Sequence, residues 1–199
     1  MRRLIGIAMF VGLLPFGLAA QTADKPAAPV IPPEVAAATK ALPAATVKRL
    51  RSAPDRFVQE AGRLIYGYGK DGSIDAAGLT RFVALQRASS RARTLRTFLD
   101  ADLDNDGAVS GAEIAARADT LAATARGRLR FAHSSADLDG DGSVNWAEMR
   151  DLAQIDAMDA LTLQEEAVVM GFMGFDTDKN GQVTVAEVQA MLKLFQPQL

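Results

Sequence analysis

The sequence predicts an all-α protein built from repeated helix–loop–helix units, and three observations carry that prediction. Acidic twelve-residue segments recur with starts at Asp102, Asp137 and Asp176, 35 and then 39 residues apart. Apolar residues flank these segments at helical three- and four-residue spacing. A repeat of that period marks a supersecondary unit that buries its apolar face only against a neighbour. Composition agrees, since 199 residues with 49 % hydrophobic and 23 % charged residues exclude disorder along the whole chain. Cysteine is absent, which excludes disulfides, thiolate metal sites and a cysteine nucleophile. The single histidine, His133, excludes paired-histidine chemistry.

The chain opens on Met1, Arg2 and Arg3, followed by an apolar run from Leu4 to Leu14, Pro15, and the small residues Gly17, Ala19 and Ala20. A positive start, a short apolar stretch and a small-residue end predict a secretory signal peptide over residues 1–20, cleaved after Ala19 or Ala20. That places the protein in the periplasm or outside the cell. The alternative is an inner-membrane anchor through residues 4–20, at the lower edge of a spanning length. Residues 21–45 carry Pro26, Pro29, Pro32, Pro33 and Pro43 without amphipathic periodicity, and predict a disordered, semi-extended tether.

From residue 46 the helical signals begin. Pro54 and Asp55 open a helix whose apolar face is Phe57, Ala61, Leu64 and Ile65. Leu79, Phe82 and Val83 continue beyond Gly78, and Leu95, Phe98 and Leu99 precede Asp102. Thr162 and Glu165 form a capping-box pattern ahead of Val168, Phe172 and Phe175. Val188, Met191, Leu192 and Phe195 form the last apolar face. The count is about eight helices in two lobes, 46–126 and 128–196, with Gly127 as the expected hinge or kink between them and a continuous linker helix as the alternative.

The three acidic segments share one pattern. Oxygen-bearing side chains stand at positions 1, 3 and 5, Gly at 6, Val at 8 and Glu at 12. A calcium ion takes six to eight hard oxygen ligands at about 2.3–2.6 Å, and a short loop supplies them only by curling around the ion. Alternate residues then point inward, and the chain turns sharply at position 6, where Gly tolerates positive φ. Position 7 offers its backbone carbonyl, position 9 acts through water, and the Glu at 12 closes the shell. The candidate ligands are therefore Asp102, Asp104, Asp106, the Ala108 carbonyl and Glu113 in the first segment. In the second they are Asp137, Asp139, Asp141, the Ser143 carbonyl and Glu148. In the third they are Asp176, Asp178, Asn180, the Gln182 carbonyl and Glu187. Ser110, Asn145 and Thr184 hold position 9. Three calcium ions are expected. The third site, with Asn180 in place of an acid, is expected to be the weakest.

With these residues the chain resembles the EF-hand calcium-binding superfamily, and over residues 55–196 it is similar to calmodulin-like proteins, here of an exported bacterial type. The resemblance implies two EF-hand pairs, a short β pairing between the loops of each pair through Val109, Val144 and Val183, and a non-enzymatic role. A damaged copy precedes the intact ones. Gly72 and Ile74 fall at positions 6 and 8 of a loop starting at Gly67, but Gly67, Gly69 and Gly78 leave positions 1, 3 and 12 without ligands. Residues 67–78 are expected to be a structural loop paired with 102–113.

Charge and methionine content suggest partners. Residues 46–130 carry 15 basic and 10 acidic residues, and residues 131–199 carry 3 and 12. Arg87, Arg91, Arg93 and Arg96, with Arg126, Arg128 and Arg130, suggest an anionic surface or acidic partner. Nucleic acid is not expected for an exported protein. Met149, Met158, Met170, Met173 and Met191 all fall in the second expected lobe and suggest an adaptable groove for a calcium-dependent protein target. His133 is expected to be a core or half-buried residue rather than a ligand. The function predicted is an exported calcium sensor or buffer; the alternative is a structural or adhesion module that calcium makes rigid.

Overall fold

Pro54 fixes the φ of the first helical turn and Asp55 complements its dipole, so a helix starts where the sequence places one. A computed structural model describes residues 33–195; the expected signal peptide and residues 21–32 lie outside the described residues. Among the described residues the helices are α1 (Pro33–Ala41), α2 (Ala44–Ser52), α3 (Pro54–Tyr68), α4 (Ala76–Leu99), α5 (Gly111–Asp119), α6 (Ala123–Ala136), α7 (Trp146–Ala160), α8 (Leu163–Met170) and α9 (Val185–Phe195). A 3-10 segment, Gly171–Phe175, follows α8 directly. The strands are β1 (Ser73–Asp75), β2 (Val109–Ser110), β3 (Ser143–Val144) and β4 (Gln182–Thr184). The fold is all-α, with short antiparallel strand pairs joining the loops.

The pairing differs from the expected one. β1 pairs with β4, setting Ile74 opposite Val183, and β2 pairs with β3, setting Val109 opposite Val144. The loop around residues 67–78 therefore faces 176–187 rather than 102–113, and residues 46–126 do not form a lobe of their own. The reason lies in α4. It runs 24 residues without a break, a rise of about 36 Å, and so carries the loop at 102–113 far from β1. The chain returns along α7, which packs against α4. Ser90 Oγ donates to the Asp156 carbonyl at 3.1 Å, and Thr94 Oγ1 donates to the Asp156 carboxylate at 2.5 Å. Arg87 donates to the Leu161 carbonyl and forms an ion pair with Glu166 at 2.9 Å. Gly127 is not a hinge: it sits inside α6, and the break falls between α5 and α6, within the 102–148 pair.

Two cores follow from this pairing. One gathers Phe98, Val109, Ile114, Leu129, Val144 and Met149. The other gathers Phe57, Ile65, Ile74, Phe175, Val183 and Val188. Residues 33–45, expected to belong to a tether, are helical apart from the turn at Leu42 and Pro43. Ala38 and Leu42, with Val47 and Leu50 of α2, are buried in the second core. The prolines stand where helices tolerate them: Pro33 is the first residue of α1, and Pro43 sits just before α2.

Methionines of the second expected lobe divide between the cores. Met149 is in the first core, Met191 is in the second, and Met170 and Met173 pack against the second.

Candidate metal centres

Each acidic segment curls back on itself through its own carboxylates. In the first, the Gly107 N–H donates to Asp102 at 3.2 Å, the Asp106 N–H to Asp104 at 3.2 Å, and the Ala108 N–H to Asp106 at 2.8 Å. In the second, the Gly142 N–H donates to Asp137 and the Ser143 N–H to Asp141. In the third, the Gly181 N–H donates to Asp176, and the Gln182 N–H to the Asn180 side-chain oxygen. Gly107, Gly142 and Gly181 have φ of 87°, 86° and 83°, a backbone that side chains with a Cβ adopt at a cost.

The position 12 glutamates have a second duty. Glu113 accepts from the Leu103 N–H with one oxygen and from the Ser110 N–H with the other, both at 2.8 Å. Glu148 and Glu187 repeat this with Leu138 and Asn145, and with Thr177 and Thr184. Ser110 and Asn145 cap α5 and α7 in complete capping boxes. Each glutamate thus ties the start of its loop to the start of the following helix. Backbone N–H groups of Ser110 and Leu103 hold the Glu113 carboxyl below the usual 4.5. Burial alone would raise Glu187, but hydrogen bonds from Thr184 and Thr177 outweigh it and leave this carboxyl lowered as well.

The carboxylates converge. Asp102, Asp104 and Glu113 each bring an oxygen within 4.8 Å of the others, as do Asp137, Asp139 and Asp141, and Asp176, Asp178 and Glu187. In the first cluster Asp102 Oδ1 is buried with no hydrogen-bond partner. An unpartnered buried carboxylate oxygen beside two further carboxylates costs free energy unless a cation meets it. The donor set is all oxygen, as a hard divalent cation requires. Asp106 lies outside the first group of three, and Glu148 outside the second.

Residues 95–116, 134–153 and 171–192 match the EF-hand family model. Each of these three segments is similar to an EF-hand. No curated protein and no solved structure gave a match to the chain.

The stretch paired with the third EF-hand is built differently. α3 continues to Tyr68, through what would be the first two loop positions. Asp71 and Gly72 both have positive φ, 52° and 80°. Lys70 and Ser73 exchange backbone hydrogen bonds of 2.8 and 3.0 Å. This is a two-residue hairpin turn of the kind Asp-Gly favours, not a curled chelating loop. A Cβ at Gly69 would stand 2.0 Å from the Ser73 carbonyl oxygen, so the chain closes over itself there. The Asp75 carboxylate caps α4, accepting from the Gly78 N–H at 2.7 Å.

Other residues singled out from the sequence find structural places. His133 meets the Val109 carbonyl through Nε2 at 3.0 Å, which ties α6 to β2. Of the arginines, Arg87 is engaged by Glu166, and Arg126 donates to the Ala118 and Leu121 carbonyls. Arg93, Arg96, Arg128 and Arg130 are exposed.

Proposed function

We propose that the chain binds calcium, one ion in each EF-hand. Asp102, Asp104, Asp106, the Ala108 carbonyl and Glu113 would hold the first ion. Asp137, Asp139, Asp141, the Ser143 carbonyl and Glu148 would hold the second, and Asp176, Asp178, Asn180, the Gln182 carbonyl and Glu187 the third. The observation that carries this reading is the convergence of three carboxylates in each EF-hand, one of them with a buried unpartnered oxygen. Bound calcium would supply charge neutralisation and cross-linking of each loop, and the role is binding rather than catalysis. Calorimetric titration of metal-stripped full-length chain tests it. Three equivalents of calcium are expected; no heat at millimolar calcium would reject the reading.

The biological setting is part of the proposal. The basic start, apolar run and small-residue end of residues 1–20 support export. Outside the cytoplasm, modules with dissociation constants of about 10⁻⁴–10⁻³ M still fill with calcium. The exposed Arg93, Arg96, Arg128 and Arg130 support contact with an acidic partner or an anionic surface. N-terminal sequencing of the exported protein tests the first point, and a chain beginning at Met1 would reject cleavage. Co-sedimentation with anionic against neutral vesicles tests the second, and equal binding to both would reject it.

A further inference from the structure

The third EF-hand is entered differently from the other two. The Asp137 N–H donates to the His133 carbonyl and the Asp102 N–H to the Phe98 carbonyl, four residues back, as in an α-helix. The Asp176 N–H instead donates to the Met173 carbonyl, three residues back, as in a 3-10 turn. The sequence Gly171-Phe172-Met173-Gly174-Phe175 repeats with period three, and residues three apart eclipse in a 3-10 helix. One edge therefore carries Phe172 and Phe175, both buried, with rings 5.1 Å apart. The other carries Gly171 and Gly174.

The glycine edge is occupied by the turn between α1 and α2. A Cβ on Gly171 would lie 2.2 Å from Pro43 Cγ, and one on Gly174 would lie 2.4 Å from the Ala41 carbonyl oxygen. Only glycine allows this approach. The arm formed by residues 33–52 also packs on α9, where the Arg51 guanidinium sits 5.9 Å from the centre of the Phe195 ring. The arm thus grips the five residues that lead into Asp176. Over five residues, 3-10 and α-helical geometry differ by about 2.5 Å in rise, enough to move Asp176 relative to Glu187.

We propose that the α1–α2 arm, seated on Gly171 and Gly174, sets the position of Asp176, so that arm docking and calcium binding at Asp176–Glu187 reinforce one another. The proposal rests on the calcium reading above. The converged Asp176, Asp178 and Glu187 occur with the arm seated. A cation that bridges them therefore favours the seated arm, and by reciprocity the seated arm favours the cation. Gly171 and Gly174 are positioning residues for this site and have no part in the other two.

The test is a calcium titration of the full-length chain, wild type and Gly174→Ala, followed through the amide signals of Gly107, Gly142 and Gly181. Each of these amides donates to the first aspartate of its own loop. The Gly181 midpoint is expected to rise about tenfold, within the range typical of coupled sites, while the other two stay within about twofold. An unchanged Gly181 midpoint, or an equal shift at all three, overturns the coupling and leaves the calcium reading intact. No response at any of the three in wild type defeats both. The reciprocal measurement needs no substitution in the arm or its seat: calcium should slow amide exchange at Val47 and Leu50 in wild type and in Glu148→Gln, but not in Glu187→Gln. Equal slowing in Glu187→Gln overturns the proposal even where Gly174→Ala does not fold.

Discussion

The pair that joins 102–113 to 137–148 and the pair that joins β1 to β4 solve one packing problem with different materials. The first uses two acidic loops and a core of nine buried apolar residues. The second has one acidic loop, one closed hairpin, and a core of fifteen, four of which come from residues 33–52. Without that arm the two cores would be of similar size. A loop that has lost its ligands can keep its place in a pair when its turn is satisfied by its own backbone and when apolar cover is added from elsewhere in the chain.

The comparison breaks first if the cores are not separate. Phe175→Ala should cost about 3–5 kcal/mol in denaturant unfolding, because Phe175 is fully buried between Phe57 and Phe172. Phe98→Ala should cost a similar amount, and the double variant should equal the sum within about 0.5 kcal/mol. A large non-additive term would mean one core. Next comes Leu42→Ala, about 2–5 kcal/mol, because Leu42 is buried in the second core; a loosely attached tether would show almost no change. A third effect sharpens the pairing itself. Glu148→Gln should remove one site and weaken calcium binding at 102–113 by about tenfold, without moving the midpoint of 176–187. Weakening at 176–187 instead would restore the sequential pairing.

Gly127→Ala is the smallest change and has the opposite sign. Gly127 lies within α6 with open space around it, so the substitution should stabilise by about 0.5–1 kcal/mol. A hinge would lose stability. The pH dependence of the metal-stripped chain follows from the lowered carboxyls of Glu113, Glu165 and Glu187. A carboxyl lowered in the fold adds stability that is fully present above its unfolded value near 4.5 and is lost as pH falls through the lower folded value. Acid unfolding should therefore begin below about pH 4.5, the usual unfolded carboxyl value, and Glu113→Gln should flatten the curve there.

The three acidic loops were legible because oxygen-bearing residues recur at fixed spacing, from Asp102 through Glu187. Helix starts at Pro54 and Thr162 were legible through capping and proline rules. The pairing was not. It depends on α4 staying unbroken through Arg87, Ser90 and Thr94, polar residues that blur apolar periodicity but find partners on Leu161, Glu166 and Asp156. Helix at residues 33–45 was not legible because alanine- and proline-rich sequence carries little periodic signal, although Leu42 is a buried apolar anchor there. The period-three glycines at 171 and 174 were the one local clue to what they touch. The Asp71-Gly72 pair is likewise a direct signal of a tight hairpin, which counting Gly72 as loop position 6 hides.

Native mass spectrometry of the metal-stripped chain reloaded with calcium tests the central claim most directly. The account predicts three added calcium ions in wild type, two in Glu148→Gln, and still three when Asp71 and Asp75 are both changed to asparagine. A fourth ion in wild type that disappears from the Asp71→Asn, Asp75→Asn chain would contradict it, as would an unchanged count in Glu148→Gln.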